Sequence, residues 1–148
     1  MRLWWALGSH REYNMTEEVS FHDNRIHSIS FVDENFETSL ILDIDHILEW
    51  VPSGDACQFR ITPAKLKYNN VSDLELKLSK PGFTINSYLE TIIDVNTEEI
   101  AKDRIEFTIS LLDGNSIKFV ASSFSLEILG IPKLKPEQYL TVLERENA

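Results

Sequence analysis

The longest regular pattern in the chain runs from Leu40 to Trp50. Its even-numbered positions are apolar apart from His46, whereas its odd-numbered positions include Asp43, Asp45 and Glu49. An alternation of period two predicts a long strand with one buried face and one acidic face. A strand with one wet face is typical of an antiparallel sheet. The pattern therefore indicates a mainly β protein.

Similar alternation recurs along most of the chain. Further strands are predicted at residues 26–32, 57–61, 66–68, 74–78, 105–111 and 117–128. Turn signals separate them, including Asp33-Glu34-Asn35, Pro52–Asp55, Pro81-Gly82 and Asp113-Gly114-Asn115. Regularly spaced strands without helical crossovers favour an antiparallel sandwich or open barrel of about seven to nine strands. The residues predicted to share its core are Leu42, Ile44, Leu74, Leu76, Phe107, Ile109 and Phe119.

Two segments carry helical signals. Residues 85–95 fit either period, but their β-branched residues favour a strand, with a helical turn after it at Asn96–Glu99. Pro136 to Glu146 predicts a C-terminal helix, because proline suits a first turn and apolar residues then follow at helical spacing: Tyr139, Leu140 and Leu143.

Length and composition indicate one domain. The 148 residues are 43% hydrophobic, and no apolar run is long enough to span a membrane. Residues 1–14 lack periodicity and are predicted to be an extension or a loose arm, with residues 15–148 forming a single β-rich domain. The one cysteine, Cys57, forbids an internal disulfide and suits a cytoplasmic protein, where it serves as an ordinary strand residue.

Charge changes the picture more than composition does. The formal net charge is −10, which repels phosphate backbones and would attract a basic protein surface. Between Arg25 and Arg60 the chain contains seven carboxylate side chains and no lysine or arginine. This interval predicts a protein-binding surface, with these candidate residues: Asp33, Glu34, Glu37, Asp43, Asp45 and Glu49. The alternative interpretation is a solvated sheet face that serves solubility.

Two histidines stand beside carboxylates. His22 and Asp23 are a possible polar site for metal or acid–base chemistry, but neighbours in a strand point to opposite faces, and a turn device is the other interpretation. His46 falls on the apolar face of the predicted strand, where a histidine is most often a core residue with one hydrogen bond.

Motifs of common enzyme classes are absent. The chain contains no Gly-x-Ser-x-Gly, no P-loop and no His-Glu-x-x-His, and only five glycines. No catalytic residue, metal or cofactor is therefore predicted.

One resemblance rests on two runs, Phe21-His22-Asp23-Asn24-Arg25-Ile26 and Leu40-Ile41-Leu42-Asp43-Ile44-Asp45. The chain resembles small uncharacterised bacterial proteins with a His-Asp pair before the first strand, some of them similar to immunity proteins of toxin systems. The runs at 62–66 and 70–74 resemble the same group. The resemblance implies a small cytoplasmic bacterial protein that binds another protein. The leading hypothesis is a non-enzymatic acidic β domain that binds a protein, in a toxin-neutralising role. The alternative hypothesis is a small-molecule or metal-dependent β-barrel enzyme that uses Asp43, Asp45 and a histidine.

Overall fold

The computed structural model describes residues 10–13, 19–79 and 88–148. These residues form ten strands, a short 3-10 turn and one helix. The strands are β1 (His10–Tyr13), β2 (Arg25–Glu34), β3 (Glu37–Ser53), β4 (Ala56–Asn69), β5 (Ser72–Lys77), β6 (Glu90–Ala101), β7 (Arg104–Leu111), β8 (Ser116–Ala121), β9 (Ser123–Ile128) and β10 (Lys133–Lys135). The 3-10 turn is Leu112–Gly114, and α1 is Val142–Glu146.

All strand pairs are antiparallel, which confirms the predicted fold class. Nine strands follow the order β1-β9-β4-β3-β2-β6-β7-β8-β5, and β10 pairs with β4. The sheet does not close into a barrel. Its two halves join where β2 pairs briefly with β6, Arg25 with Thr91 and Ile26 with Glu90.

The two halves face each other across an aromatic cluster. The Tyr68 ring on β4 lies 4.9 Å from the Phe107 ring on β7 and 4.7 Å from the Phe119 ring on β8, centroid to centroid. β4 is several places away from β7 and β8 in the sheet order, so these contacts require the sheet to fold over on itself. The aromatic cluster is therefore the centre of a sandwich-like core.

The predicted burial is confirmed for the core residues of the central strands and is wrong for those of β5. Five of the expected residues are buried: Leu42, Ile44, Phe107, Ile109 and Phe119. Leu74 and Leu76 are 36% and 47% exposed. β5 is the last strand in the sheet order and, among the described residues, pairs only with β8, with a register shift between Ser72 and Glu75. Alternation on an edge strand does not ensure that its apolar side is covered.

This difference predicts unequal costs for two truncations. Ile109→Ala is expected to lower the free energy of unfolding by about 2–5 kcal/mol, because the site is fully buried. Leu76→Ala is expected to change it by about 0.5 kcal/mol or less, because the side chain is largely solvated. Urea denaturation of both variants measures the difference, and equal losses would show that Leu76 is part of the core.

A β-bulge divides β3 into two parts. The pairing of β3 with β4 shifts between Ile47 and Glu49, so Leu48 is the extra residue. Before the bulge, Leu40, Leu42 and Ile44 are buried as predicted. Beyond it Trp50 is 48% exposed, so the single buried face expected from Leu40 to Trp50 ends at the bulge.

One helical prediction is wrong, whereas the C-terminal helix is confirmed but shorter than predicted. β6 continues through Asn96–Glu99, where a helical turn was expected, because these residues pair with β7. The strand preferred for 85–95 is confirmed from Glu90 onward. The C-terminal helix spans only Val142–Glu146, and Leu143, expected on its apolar stripe, is 67% exposed.

Some predictions lie at the edges of the described residues. The Pro81-Gly82 turn and Ile85 fall outside them. Within the proposed arm, β1 pairs with β9 along the sheet edge, and the boundary at residue 14 stays a prediction. In the described ranges, no helix is long and apolar enough to cross a membrane.

Candidate functional site

The tip of the β2–β3 hairpin displays an aromatic side chain. Asn35 and Phe36 form the turn, with φ angles of 51° and 64°. Two successive positive φ angles are typical of a type I′ hairpin turn, which normally takes Asn-Gly. Phe36 is fully exposed, at 109% of its reference area. A bulky residue therefore adopts a strained backbone conformation only to place its ring in water.

Carboxylates flank Phe36 along the hairpin. Asp33, Glu34 and Glu37 are all exposed at the ends of the two strands. Asp33 Oδ1 accepts a 2.7 Å hydrogen bond from Thr38 Oγ1, and Glu34 Oε2 lies 3.8 Å from Lys67 Nζ. The Glu34–Lys67 pair is exposed, so it neutralises the charge only weakly. We call Asp33, Glu34, Phe36 and Glu37 the acidic tip.

The six carboxylates predicted for protein binding do not form one surface. Glu49 is exposed, but it lies twelve residues beyond Glu37 on the same strand, about 40 Å away at strand rise. Asp43 is partly buried and Asp45 is completely buried. The expectation that Asp45 faces water is wrong, because the C-terminal segment packs over this face of β3 and buries Leu140 against Ile47.

Asp45 lies at the centre of a polar cluster. Its Oδ1 accepts a hydrogen bond from Arg145 Nη1, while Oδ2 accepts one from the Leu140 N–H at 3.1 Å. His27 Nε2 on β2 lies 2.8 Å from the same Oδ2. Arg145 also donates to Asp43 Oδ1. We call Asp43, Asp45, His27 and Arg145 the Asp45 cluster; it ties the C-terminal segment to the β2–β3 hairpin.

A capping box orients Arg145 within this cluster. The Thr141 hydroxyl accepts from the Glu144 N–H at 3.2 Å, and the Glu144 carboxylate accepts from the Thr141 N–H at 2.9 Å. Hydrogen bonds from Lys135 and from the Thr141 backbone lower the pKa of Glu144 to about 2. The ionised carboxylate therefore holds the first turn of α1 over the ordinary pH range, which places Arg145 on β3.

His22 and Asp23 lie in a turn. The positive φ of Asp23, 65°, places its carboxylate beside the preceding ring, with His22 Nε2 3.6 Å from Asp23 Oδ2. The His22 Nδ1 contacts the carbonyl oxygen of Ile93, and Asp23 Oδ2 accepts from Gln138 Nε2 at 2.9 Å. The rule that strand neighbours point apart does not apply here, and the contacts favour the turn interpretation.

His46 is a core residue, as expected from its face of β3. It is 2% exposed, and its Nδ1 donates to Asn24 Oδ1 at 2.8 Å. Burial lowers its pKa to about 4, so the ring is neutral near pH 7. Among the residues that the structure describes, no group of three histidine, cysteine or acidic side chains could hold a metal ion.

Comparisons with known proteins add no constraint. No family model, curated protein or solved structure matches this chain. Inference about function therefore depends on the geometry of the chain itself.

Sequence reasoning named the carboxylates of these sites but missed three of their residues: Phe36, Arg145 and His27. The signal for Phe36 was its position after Asn35, where a hairpin turn normally has glycine. The signal for Arg145 was the Thr141-x-x-Glu144 spacing, which places the start of the helix after Thr141. His27 has no local signal, because its approach to Asp45 depends on the pairing of β2 with β3.

Proposed function

We propose that this chain is a non-enzymatic binding domain that recognises a basic protein surface through the acidic tip. The observation that carries the proposal is Phe36, fully exposed with a φ of 64°. Left-handed backbone at a bulky residue is unfavourable and is retained most often where function requires it. An exposed aromatic ring that enters a partner pocket is a common energetic centre of an interface.

Charge supports a cationic partner. Asp33, Glu34 and Glu37 flank Phe36 along the hairpin, and the whole chain carries a formal net charge of −10. Such a field accelerates association with basic surfaces and disfavours nucleic acid. A toxin-neutralising, immunity-type role is the specific form of binding that the sequence resemblance implies.

The enzymatic alternative has one observation in its favour. His27, Arg145 and Glu146 line a cleft of about 340 Å³, and Asp45 lies behind His27. However, the Asp45 carboxylate already contacts Arg145, Leu140 N–H and His27. A carboxylate that links three structural elements is better suited to stabilising the fold than to transferring protons. Binding of a protein partner therefore remains the proposed function.

Variants at the tip separate binding from stability. Phe36→Gly is expected to bind the partner about tenfold more weakly, mainly through faster dissociation, because the anchor ring is lost. The same change is expected to leave the free energy of unfolding unchanged or raise it by about 1 kcal/mol, because glycine relieves the left-handed strain. Affinity capture from the native host supplies the partner, and surface plasmon resonance measures both rates.

Charge reversal tests the second part of the proposal. The triple change of Asp33, Glu34 and Glu37 to lysine should slow association about tenfold and flatten its salt dependence. Reversal of Glu98 and Glu99, exposed on β6, is the matched control and should have a smaller effect. Equal effects from both reversals, or a partner captured equally by wild type and Phe36→Gly, would contradict the proposal.

A further inference from the structure

A second cleft lies apart from the acidic tip. It has a volume of about 470 Å³, within the range of small-molecule sites. Its walls come from the turn before β2, from β4 and β6, and from the C-terminal segment, and include Asp23, Arg25, Phe59, Thr91, Glu137 and Tyr139. We call it the Arg25 cleft.

The arginine in this cleft is held between two aromatic rings. The Arg25 guanidinium carbon lies 3.9 Å from the Tyr88 ring centroid and 3.7 Å from the Tyr139 ring centroid. Contact with two aromatic rings restricts the position of the guanidinium group through cation–π attraction. In the described ranges, no carboxylate lies within ion-pair distance of Arg25 and no acceptor is hydrogen-bonded to it. Its planar set of donors is therefore preorganised for a carboxylate supplied from outside.

Two carboxylates, Asp23 and Glu137, line the same cleft as the Arg25 cation. Asp23 receives a side-chain hydrogen bond from Gln138, and Glu137 Oε2 lies 3.7 Å from Lys135 Nζ. Glu137 is 46% exposed, so its pairing with Lys135 leaves much of its charge available. A simple anion would be attracted by Arg25 but repelled by Asp23 and Glu137. A ligand with both charges would be attracted by all three.

We propose that the Arg25 cleft binds a small zwitterion of the class of a free α-amino acid. Its carboxylate accepts hydrogen bonds from the Arg25 guanidinium, and its ammonium lies at Asp23 and Glu137. Phe59 and Tyr139 provide apolar wall for a side chain. The proposal is independent of the acidic tip, which lies at the far end of β2 from Arg25.

The experiment titrates L-leucine, acetate and methylammonium separately into the full chain and follows the Arg25 Nε–Hε resonance by NMR. L-leucine is expected to saturate with a dissociation constant on the order of 1 mM. Acetate and methylammonium should each bind at least about tenfold more weakly, because each satisfies only one side of the cleft. Backbone amide shifts at Thr91 and Gln138 give a second readout that does not need Arg25.

Variants assign the two charges. Arg25→Gln and Asp23→Asn should each weaken L-leucine binding about tenfold, whereas Lys65→Gln, which removes an exposed cation on β4, should not. Asp23→Asn keeps the shape of the side chain, and a thermal melt verifies the fold of each variant. No saturable shift, acetate binding as tight as L-leucine binding, or unchanged binding in folded Arg25→Gln or Asp23→Asn would each overturn the proposal.

Discussion

Replacement of Asp45 by alanine is expected to lower the free energy of unfolding by about 3–5 kcal/mol. The carboxylate is completely buried, accepts hydrogen bonds from Arg145 and the Leu140 N–H, and lies 2.8 Å from His27 Nε2. Its removal leaves a guanidinium that is only 15% exposed with Asp43 as its remaining carboxylate partner. The loss of one of two counter-charges, together with the loss of the acceptor for a buried N–H, is costly because neither group regains full hydration. The C-terminal segment should then detach from β3 before the sandwich unfolds.

Controls on the same strand isolate this effect. Glu49→Ala removes an exposed carboxylate and should change stability by no more than about 0.5 kcal/mol. Urea denaturation measures both, and the double variant Asp45→Ala with Arg145→Met should lose less than the sum of the single losses, because the two side chains are directly paired. An Asp45→Ala loss below about 1 kcal/mol would mean that the cluster contributes little to stability.

Acidification is expected to destabilise the protein through His46. Its pKa is about 4 in the folded state, against about 6.5 when unfolded, because burial penalises the charged ring. Between these values the unfolded state binds the proton and the folded state does not. This contribution to stability is therefore complete above about pH 6.5 and is lost as the pH falls toward 4. Linkage gives a loss of about 2 kcal/mol between pH 7 and pH 5 from this residue alone.

Comparison with a variant that cannot titrate isolates the histidine. His46→Asn can still donate to Asn24 Oδ1, and its free energy of unfolding should fall about 2 kcal/mol less than wild type from pH 7 to pH 5. Identical slopes for wild type and His46→Asn in urea denaturation would show that His46 does not titrate as its burial requires.

Binding and stability are predicted to reside in different parts of the molecule. The acidic tip is at one end of the β2–β3 hairpin, whereas Asp45 lies eight residues along β3 from Glu37, about 27 Å at strand rise. Charge reversal at the tip should therefore leave the fold intact. Reversal of Asp45 tests the fold instead of recognition, because it would place a lysine beside Arg145 in a buried site.

Period-two alternation was sufficient to predict the class of the fold. It identified β3, β7 and β8 and their central core residues, because alternating apolar side chains can be buried only on one face of a sheet. It divided β4 into two strands around Pro63, whereas β4 is continuous from Ala56 to Asn69. It also placed His46 in the core. The Asp113-Gly114-Asn115 signal marked the turn between β7 and β8, since local backbone preferences act without help from distant residues.

Whether each face of a strand is buried or exposed was decided only by the tertiary structure. Asp45 and Glu49 are both odd-numbered on β3, but the bulge at Leu48 turns them to opposite faces of the sheet, so Asp45 is covered by the C-terminal segment and Glu49 is in water. Leu76 alternates as regularly as Ile109, yet it lies on an edge strand and is exposed. The position of Arg25 between two tyrosines likewise brings together residues distant along the chain. Alternation determines which side chains share a face, but burial depends on which distant segment packs against that face, and that is a property of the whole fold.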